Sequence, residues 1–294
     1  MNKKLSLTGR TFSLSLLGAS LMLIGVQAFA QTLTVGGANF SEQSVLANIY
    51  AKALQKKGFT VKTRLNLGNR EIILPALKSG EIDIVPEYLG ALLNYYDPGA
   101  EVTRQPEVEA ALKKTLPSAF TLLKAASAES TTAWAVRPDT AKKYHLKTLS
   151  DLAKVSDKLV VGGPPEVATR ALGLPGLERV YGIRFKHVES LDMGGPLSRM
   201  ALNSKRIDVA TVVSTQGNLA KEGWVVLEDD KHEQPSQNVV PLVRKAVLTP
   251  QITGVLDEVS AKLNNSTLVK LNQQVDIEHA DPATVAGDWV NSNL

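Results

Sequence analysis

Ala76-Leu77-Lys78-Ser79-Gly80-Glu81-Ile82-Asp83 and Ala201-Leu202-Asn203-Ser204-Lys205-Arg206-Ile207-Asp208 share the pattern Ala-Leu-x-Ser-x-x-Ile-Asp, with every matched residue 125 positions apart. Each copy passes from helical spacing into an unbroken apolar run, Ile82 to Val85 in one and Val209 to Val213 in the other. Such a run is what a parallel strand looks like when helices cover both of its faces. Upstream of each copy stands a second matched piece, Val35-Gly36-Gly37 and Val161-Gly162-Gly163. A chain carrying this unit twice is expected to fold as two α/β lobes of one plan.

Length agrees with that expectation, since 294 residues exceed the usual size of a single core. The first thirty residues read as an export signal: Lys3, Lys4 and Arg10 precede an apolar run from Phe12 to Val26, and Ala28-Phe29-Ala30 is an A-x-A cleavage site. That run falls short of the ~20 apolar residues of a spanning helix. Three of the 33 basic residues and none of the 29 acidic ones lie in this segment, which leaves 30 against 29 in the mature chain. So even a balance gives no reason to expect a nucleic acid or an anionic membrane surface as partner. Cysteine is absent, which excludes disulfides, thiolate metal sites, Cys nucleophiles and a lipid-modified Cys at the cleavage site. A free periplasmic protein is expected.

Taken in order, Thr32 to Val35 reads as a strand and Ser41 to Lys57 as a helix, with Ser41 as N-cap and Gly58 as left-handed stop. Phe59 to Leu67 reads as a strand, and a helix runs from Arg70 to Gly80. The central strand is expected at 82–85, with Pro86-Glu87-Tyr88 exposed just beyond it. Thr121 to Ala126, Ser130 to Val136, Lys158 to Val161 and Trp224 to Leu227 read as further strands, and a helix is expected after Glu166. Asn238 to Val243 is extended again, and the chain is helical beyond Thr249-Pro250. The expected organisation is a signal at 1–30, lobe I from 31–133 and 238–294, and lobe II from 134–237. Each lobe is a mostly parallel sheet flanked by helices. Two crossings near Ala133–Arg137 and Asn238–Arg244 would form a hinge.

Open α/β sheets bind ligands where strands end and helices begin, so Asn39, Asn69, Arg70 and Tyr88 are expected to converge on one crevice. Tyr88 either meets a ligand or packs the lobes together. Glu87 either favours a cation, caps a helix or holds the hinge, and Arg70 either grips a carboxylate through paired bonds or pairs with Glu71 or Glu42. Asp83 and Asp208, entering apolar strands, read as structural caps. Glu228-Asp229-Asp230 lacks the spaced oxygens and tight glycine of a hard-cation loop and reads as a solvated turn. His145, His187, His232 and His279 are scattered without metal-ligand spacing, so neither a metal nor a cofactor is expected. With no Gly-x-Ser-x-Gly elbow, Walker loop or Gly-x-Gly-x-x-Gly fingerprint, the chain reads as a binder and not an enzyme.

The pieces Val-Gly-Gly-Ala-Asn-Phe-Ser-Glu (35–42), Leu-Gly-Asn-Arg-Glu (67–71), Ala-Leu-Lys-Ser-Gly-Glu-Ile-Asp-Ile-Val-Pro-Glu-Tyr (76–88), Val-Val-Leu-Glu-Asp-Asp-Lys-His (225–232) and Pro-Leu-Val-Arg (241–244) occur in this order along the mature chain. In this arrangement the chain resembles the osmoprotectant-binding proteins of ABC importers for glycine betaine, choline and related quaternary amines. The resemblance implies a monomeric type II periplasmic binding protein that closes on a small zwitterionic or quaternary-amine solute and docks on a permease in the inner membrane. A sensory solute-binding protein is the alternative. Tight binders of the family cage the trimethylammonium group in aromatic rings. Tyr88 matches one cage position, whereas Thr132, Val213 and Gln237-Asn238 stand where many members have rings, and Arg70 replaces a common Thr. The expected contact set is Asn39, Phe40, Asn69, Arg70, Tyr88, Thr132, Ser214, Thr215, Gln237 and Asn238. Its polarity implies a weak betaine site or a different, more polar solute.

Overall fold

A computed structural model of the chain describes Met1 and residues 32–294; the rest of the expected signal lies outside the described residues. Ten strands, numbered in chain order, form two five-stranded sheets. The first holds β1 (Leu33–Gly36), β2 (Val61–Arg64), β3 (Ile84–Tyr88), β4 (Phe120–Leu122) and, from far along the chain, β10 (Val239–Arg244), in the order β2-β1-β3-β10-β4. The second holds β5 (Thr132–Val136), β6 (Val160–Gly163), β7 (His187–Ser190), β8 (Val209–Val213) and β9 (Val225–Val226), in the order β7-β6-β8-β5-β9. The orders match strand for strand. In each sheet three strands run parallel, and the fourth pairs antiparallel with the central one.

Helices α1 (Ser41–Lys56), α2 (Arg70–Ser79), α3 (Leu89–Tyr96) and α4 (Gln105–Thr115) lie along the chain of the first sheet. Helices α5 (Pro138–Tyr144), α6 (Leu149–Ala153), α7 (Leu174–Tyr181), α8 (Pro196–Asn203) and α9 (Asn218–Glu222) follow within the second. The tail folds as α10 (Pro250–Lys262), α11 (Asn265–Asp276) and α12 (Pro282–Asn293), which pack with α1. Alternation along the strands divides each core in two. Ile84, Val239 and Val243 face the α1 and tail side, while Val85, Val240 and Leu242 face the α2 to α4 side. The second sheet repeats this, with Trp134 and Val136 on one face and Ala133 and Ala135 on the other.

The repeated motif has a structural cause. Asp83 Oδ2 accepts from the Thr34 amide of β1 at 2.9 Å, while its Oδ1 takes the Arg244 guanidinium at the end of β10 at 2.6 Å. Asp208 Oδ2 likewise accepts from the Val160 amide of β6 at 3.0 Å, and Arg137 at the end of β5 approaches its Oδ1 at 3.5 Å. The caps expected at both aspartates are present, and each ties three strands together. The preceding isoleucines explain the paired glycines: a Cβ on Gly36 would meet Ile82 Cδ1 at 2.5 Å, and one on Gly162 would meet Ile207 Cδ1 at 2.7 Å. Gly36 and Gly162 thus make room for an isoleucine.

Several boundaries differ from expectation. Pro86-Glu87-Tyr88 forms the second half of β3 because β10 pairs along it, with Pro241 opposite Pro86, a position where neither residue needs an amide proton. Tyr88 is therefore 7 % exposed, not a projecting residue beyond a strand. Ser41 is the first helical residue, and Phe40 is the N-cap, with no side-chain bond. The stretches at 59–67, 121–126 and 224–227 contain only β2, β4 and β9, and Glu166 lies in a 3-10 turn, Pro165–Ala168, that follows two prolines. The crossings also shift: 132–136 and 239–244 lie inside sheets, and the two passing segments meet at Glu129 and Asn238. There the Ser130 amide donates to the Gln237 carbonyl at 3.1 Å, and the Gln237 amide donates to Glu129 Oε1 at 2.8 Å.

Glu228-Asp229-Asp230 is the expected solvated turn, with Glu228 and Asp230 exposed, and it is also organised by hydrogen bonds. Asp229 accepts from the Tyr181 hydroxyl and from the amides of Glu233 at 2.9 Å and Gln234 at 2.8 Å, and Asp230 accepts from the Ser150 amide at 3.1 Å. Among the described residues no helix is long and apolar enough to cross a membrane, and no group of three His, Asp or Glu is placed to hold a metal ion.

Candidate functional site

A cleft of about 1030 Å³ opens where the carboxyl ends of β1 and β3 face those of β6 and β8. One wall begins at the β1 to α1 junction. Gln43 fixes this junction, accepting from the Ala38 amide at 3.3 Å and donating to the Pro86 carbonyl at 3.0 Å. It thereby sets Phe40 and Glu42 beside the end of β3. The Phe40 and Tyr88 rings stack with centroids 6.4 Å apart and planes 23° from parallel, and Phe40 is 47 % exposed to the cleft side.

Beneath these rings lies Glu42, 5 % exposed. Its Oε1 accepts from the Tyr88 hydroxyl at 2.6 Å, and its Oε2 accepts from Thr215 Oγ1 and Asn272 Nδ2, both at 2.6 Å. The three donors come from β3, the loop after β8 and α11, and all are neutral. Burial, with the nearby Glu42 charge second, pushes the Tyr88 hydroxyl well above the usual phenol range, so it stays protonated and keeps donating.

The neighbouring carboxylate is balanced. Arg70 Nε donates to Glu87 Oε1 at 2.9 Å and its Nη2 to Oε2 at 2.8 Å, the paired geometry that suits a planar guanidinium. The Arg70 partner is thus Glu87, where the sequence had pointed to a ligand or to Glu71 or Glu42. Its Nη1 has no hydrogen bond among the described residues.

Of the ten residues expected at the site, Asn39, Phe40, Asn69, Arg70, Tyr88, Thr132, Thr215 and Gln237 line the cleft. Ser214 and Asn238 do not. Ser214 holds the first crossing, accepting from the Thr131 amide at 3.1 Å, and Asn238 donates to the Ala126 carbonyl at 2.9 Å. Gln237 turns its Oε1 to the Ala91 amide at 3.0 Å. Val213 lines the cleft, as its position in the family's cage implies, and so does Tyr95, while Trp134 is buried in the core.

On the opposite wall, sequence reasoning found Thr132, Val213 and Thr215 but missed the rest. Arg170 is exposed there and makes no ion pair or side-chain hydrogen bond among the described residues, and Glu166 stands one turn before it. Gln216 and Gln234 also line that wall, the former donating to the Met193 carbonyl at 2.6 Å and the latter to the Leu172 carbonyl at 2.8 Å. Lying outside the repeat, Arg170 had no signal except the helix expected after Glu166. Glu42 was legible only as part of a motif, since its three partners are 46, 173 and 230 residues away.

Two matched α/β sheets with a polar cleft between them, floored by aromatic rings and a carboxylate, define a solute-binding protein of the type II periplasmic kind. Residues 31–292 match the family model for the substrate binding domain of ABC-type glycine betaine transport systems, and the chain belongs to that family. It is the substrate-binding component of an ABC importer and works with permease components, as the family does; members act outside the cytoplasm. Among its relatives is the glycine-betaine-binding protein of Pseudomonas aeruginosa, 32 % identical over 299 residues that cover 96 % of this chain and 94 % of the relative. The glycine betaine-binding protein YehZ of Escherichia coli is 29 % identical over 275 residues, covering 89 % and 90 %. A solved structure titled as a glycine betaine/carnitine/choline ABC transporter superposes with a TM-score of 0.78 at 27 % identity, covering 88 % of this chain and 98 % of that one.

Proposed function

We propose that the chain is a monomeric periplasmic receptor that captures glycine betaine, choline or a related small osmoprotectant in the cleft and delivers it to an inner-membrane permease. The observation that carries this reading is the stacked Phe40–Tyr88 pair over the buried Glu42, which offers ring faces and negative charge to a cation. A ligand carboxylate is taken by Arg170 from the opposite wall and by the free Nη1 of Arg70. Asn39, Asn69, Thr132, Thr215 and Gln237 supply polar contacts that orient the solute. The expected lobe boundary at 133/134 moves back ahead of β5: residues 31–129 with 238–294 form one lobe and 130–237 the other, and they close about the segments that meet at Glu129 and Asn238. The export signal at 1–30 is cleaved. Binding, not turnover, is the activity.

Thr132, Val213 and Gln237 stand where caged relatives have rings. Each cation–π contact contributes roughly 0.5–2 kcal/mol, so three missing contacts lower betaine affinity by roughly ten- to ten-thousandfold. Calorimetry of the ligand-stripped protein against glycine betaine, choline, carnitine, proline betaine and ergothioneine tests the reading. Binding of one or more of them supports it, and binding of none sinks it. Submicromolar betaine affinity would mean that Phe40 and Tyr95 replace the missing rings.

A further inference from the structure

Glu42 is the one buried carboxylate of the cleft without a cationic partner among the described residues. Glu87, the other, is held by Arg70 through paired bonds. Glu71, Glu166 and Asp276 also line the cleft, but they are exposed, so water and salt screen them. At Glu42 the screening is absent: it is 5 % exposed, and its oxygens are met by a phenol, a hydroxyl and an amide. These donors satisfy its lone pairs yet leave its charge whole. Burying a carboxylate without a counter-charge is unfavourable, and a cation arriving nearby offsets that penalty. The charge sits at the hydroxyl end of Tyr88, from which it accepts a hydrogen bond, and the Tyr88 ring is stacked on the exposed Phe40.

Resting on the functional reading above, we infer that Glu42 is the counter-ion of the bound solute's cationic group and sets the preference of the cleft for a positively charged head over an uncharged group of the same shape. Where a full aromatic cage would recognise a trimethylammonium group through ring faces, this chain relies on one buried anion behind two rings. Glu42 reaches the solute through Tyr88 and through its field, so it is a positioning and charge-setting residue. The same carboxylate joins Thr215 of the loop after β8 to Asn272 of α11, so the selecting charge is anchored to both walls of the cleft.

The test uses pairs of probes that differ only in charge: choline with 3,3-dimethyl-1-butanol, and glycine betaine with 3,3-dimethylbutanoate. Each replaces the quaternary nitrogen by carbon. Wild-type protein is expected to prefer the member with the quaternary nitrogen, whose head is cationic, by about tenfold or more. Glu42→Gln, which keeps the shape, should reduce the preference to within about threefold, and Glu42→Asp should restore most of it. A purely structural role would weaken both members alike and leave their ratio unmoved, and that result overturns the inference. Wild-type binding of the carbon-headed member within about twofold of its quaternary-nitrogen counterpart overturns it without any variant. If neither choline nor glycine betaine binds the wild-type chain, the inference falls; the functional reading falls with it only if carnitine, proline betaine and ergothioneine also fail to bind.

Discussion

Arg70 and Glu233 show how single side chains divide their work between the fold and the site. Arg70 meets Glu87 through Nε and Nη2, leaving Nη1 for a ligand carboxylate. A charge-assisted bond of that kind contributes roughly 1.5–3 kcal/mol, so Arg70→Ala should weaken glycine betaine binding by about ten- to a hundredfold in calorimetry. Choline has no carboxylate and should bind as well or better, because Glu87 is then left unpaired. Parallel losses for both ligands would mean that Arg70 serves only to hold Glu87. Glu233 lies beside Gln234 at the edge of the opposite wall, with one oxygen accepting from Gln234 Nε2 at 2.6 Å and the other unpartnered. Burial, with Asp229 adding and the Gln234 amide and Arg179 opposing, raises its carboxyl from 4.5 to about 7. A raised carboxyl pKa favours folding most below pH 4.5, and that contribution is lost as pH rises from 4.5 to about 7. Glu233→Gln should therefore stabilise the protein at pH 8 by about 1–3 kcal/mol and change little at pH 4, read by urea unfolding at both. An equal effect at the two pH values would assign it to packing.

Among the elements, the matched strand ends are each tied by an aspartate to a strand amide and an arginine. Asp83 and Asp208 occupy the same place in their sheets, yet the Asp83 side chain is 5 % exposed and that of Asp208 is 29 %. Removing one partner of a buried pair costs about 3–5 kcal/mol, whereas a half-open pair contributes about 1 kcal/mol or less. Asp83→Ala should lower the urea midpoint far more than Asp208→Ala, and similar losses would show that the strand amides, not the arginines, dominate. The loop after β8 is a second such element. A Cβ on Gly217 would fall on the Gln273 backbone of α11, beside the bonds that Asn272 makes to Glu42 and to the Thr215 carbonyl. Its glycine is required by that close approach, since overpacking there would displace the loop from the cleft.

For the whole molecule, two like sheets joined by segments that meet at Glu129 and Asn238 are the layout of a hinge. Closure about that point should reduce the radius of gyration when a solute confirmed by calorimetry is added, as measured by small-angle scattering. An unchanged radius would mean that the lobes already stand closed, with Thr215 and Asn272 meeting at Glu42 before any solute arrives.

The duplication, the α/β class, the strand at Val209–Val213 and the structural role of the paired aspartates were all legible in the sequence, because periodicity and repetition are local records of burial. That Asn39, Asn69, Arg70 and Tyr88 line one cleft was also legible, since strand carboxyl ends face the crevice in such a fold. Other features depended on pairing across distance. Whether Pro86-Glu87-Tyr88 is a turn or a strand depends on β10, more than 150 residues later, and only that pairing buries Tyr88. The partner of Arg70, the isolation of Glu42 among neutral donors and the place of Arg170 on the facing wall are likewise tertiary facts. A charge is free or balanced according to what stands within a few ångströms of it, and only the folded chain determines those neighbours.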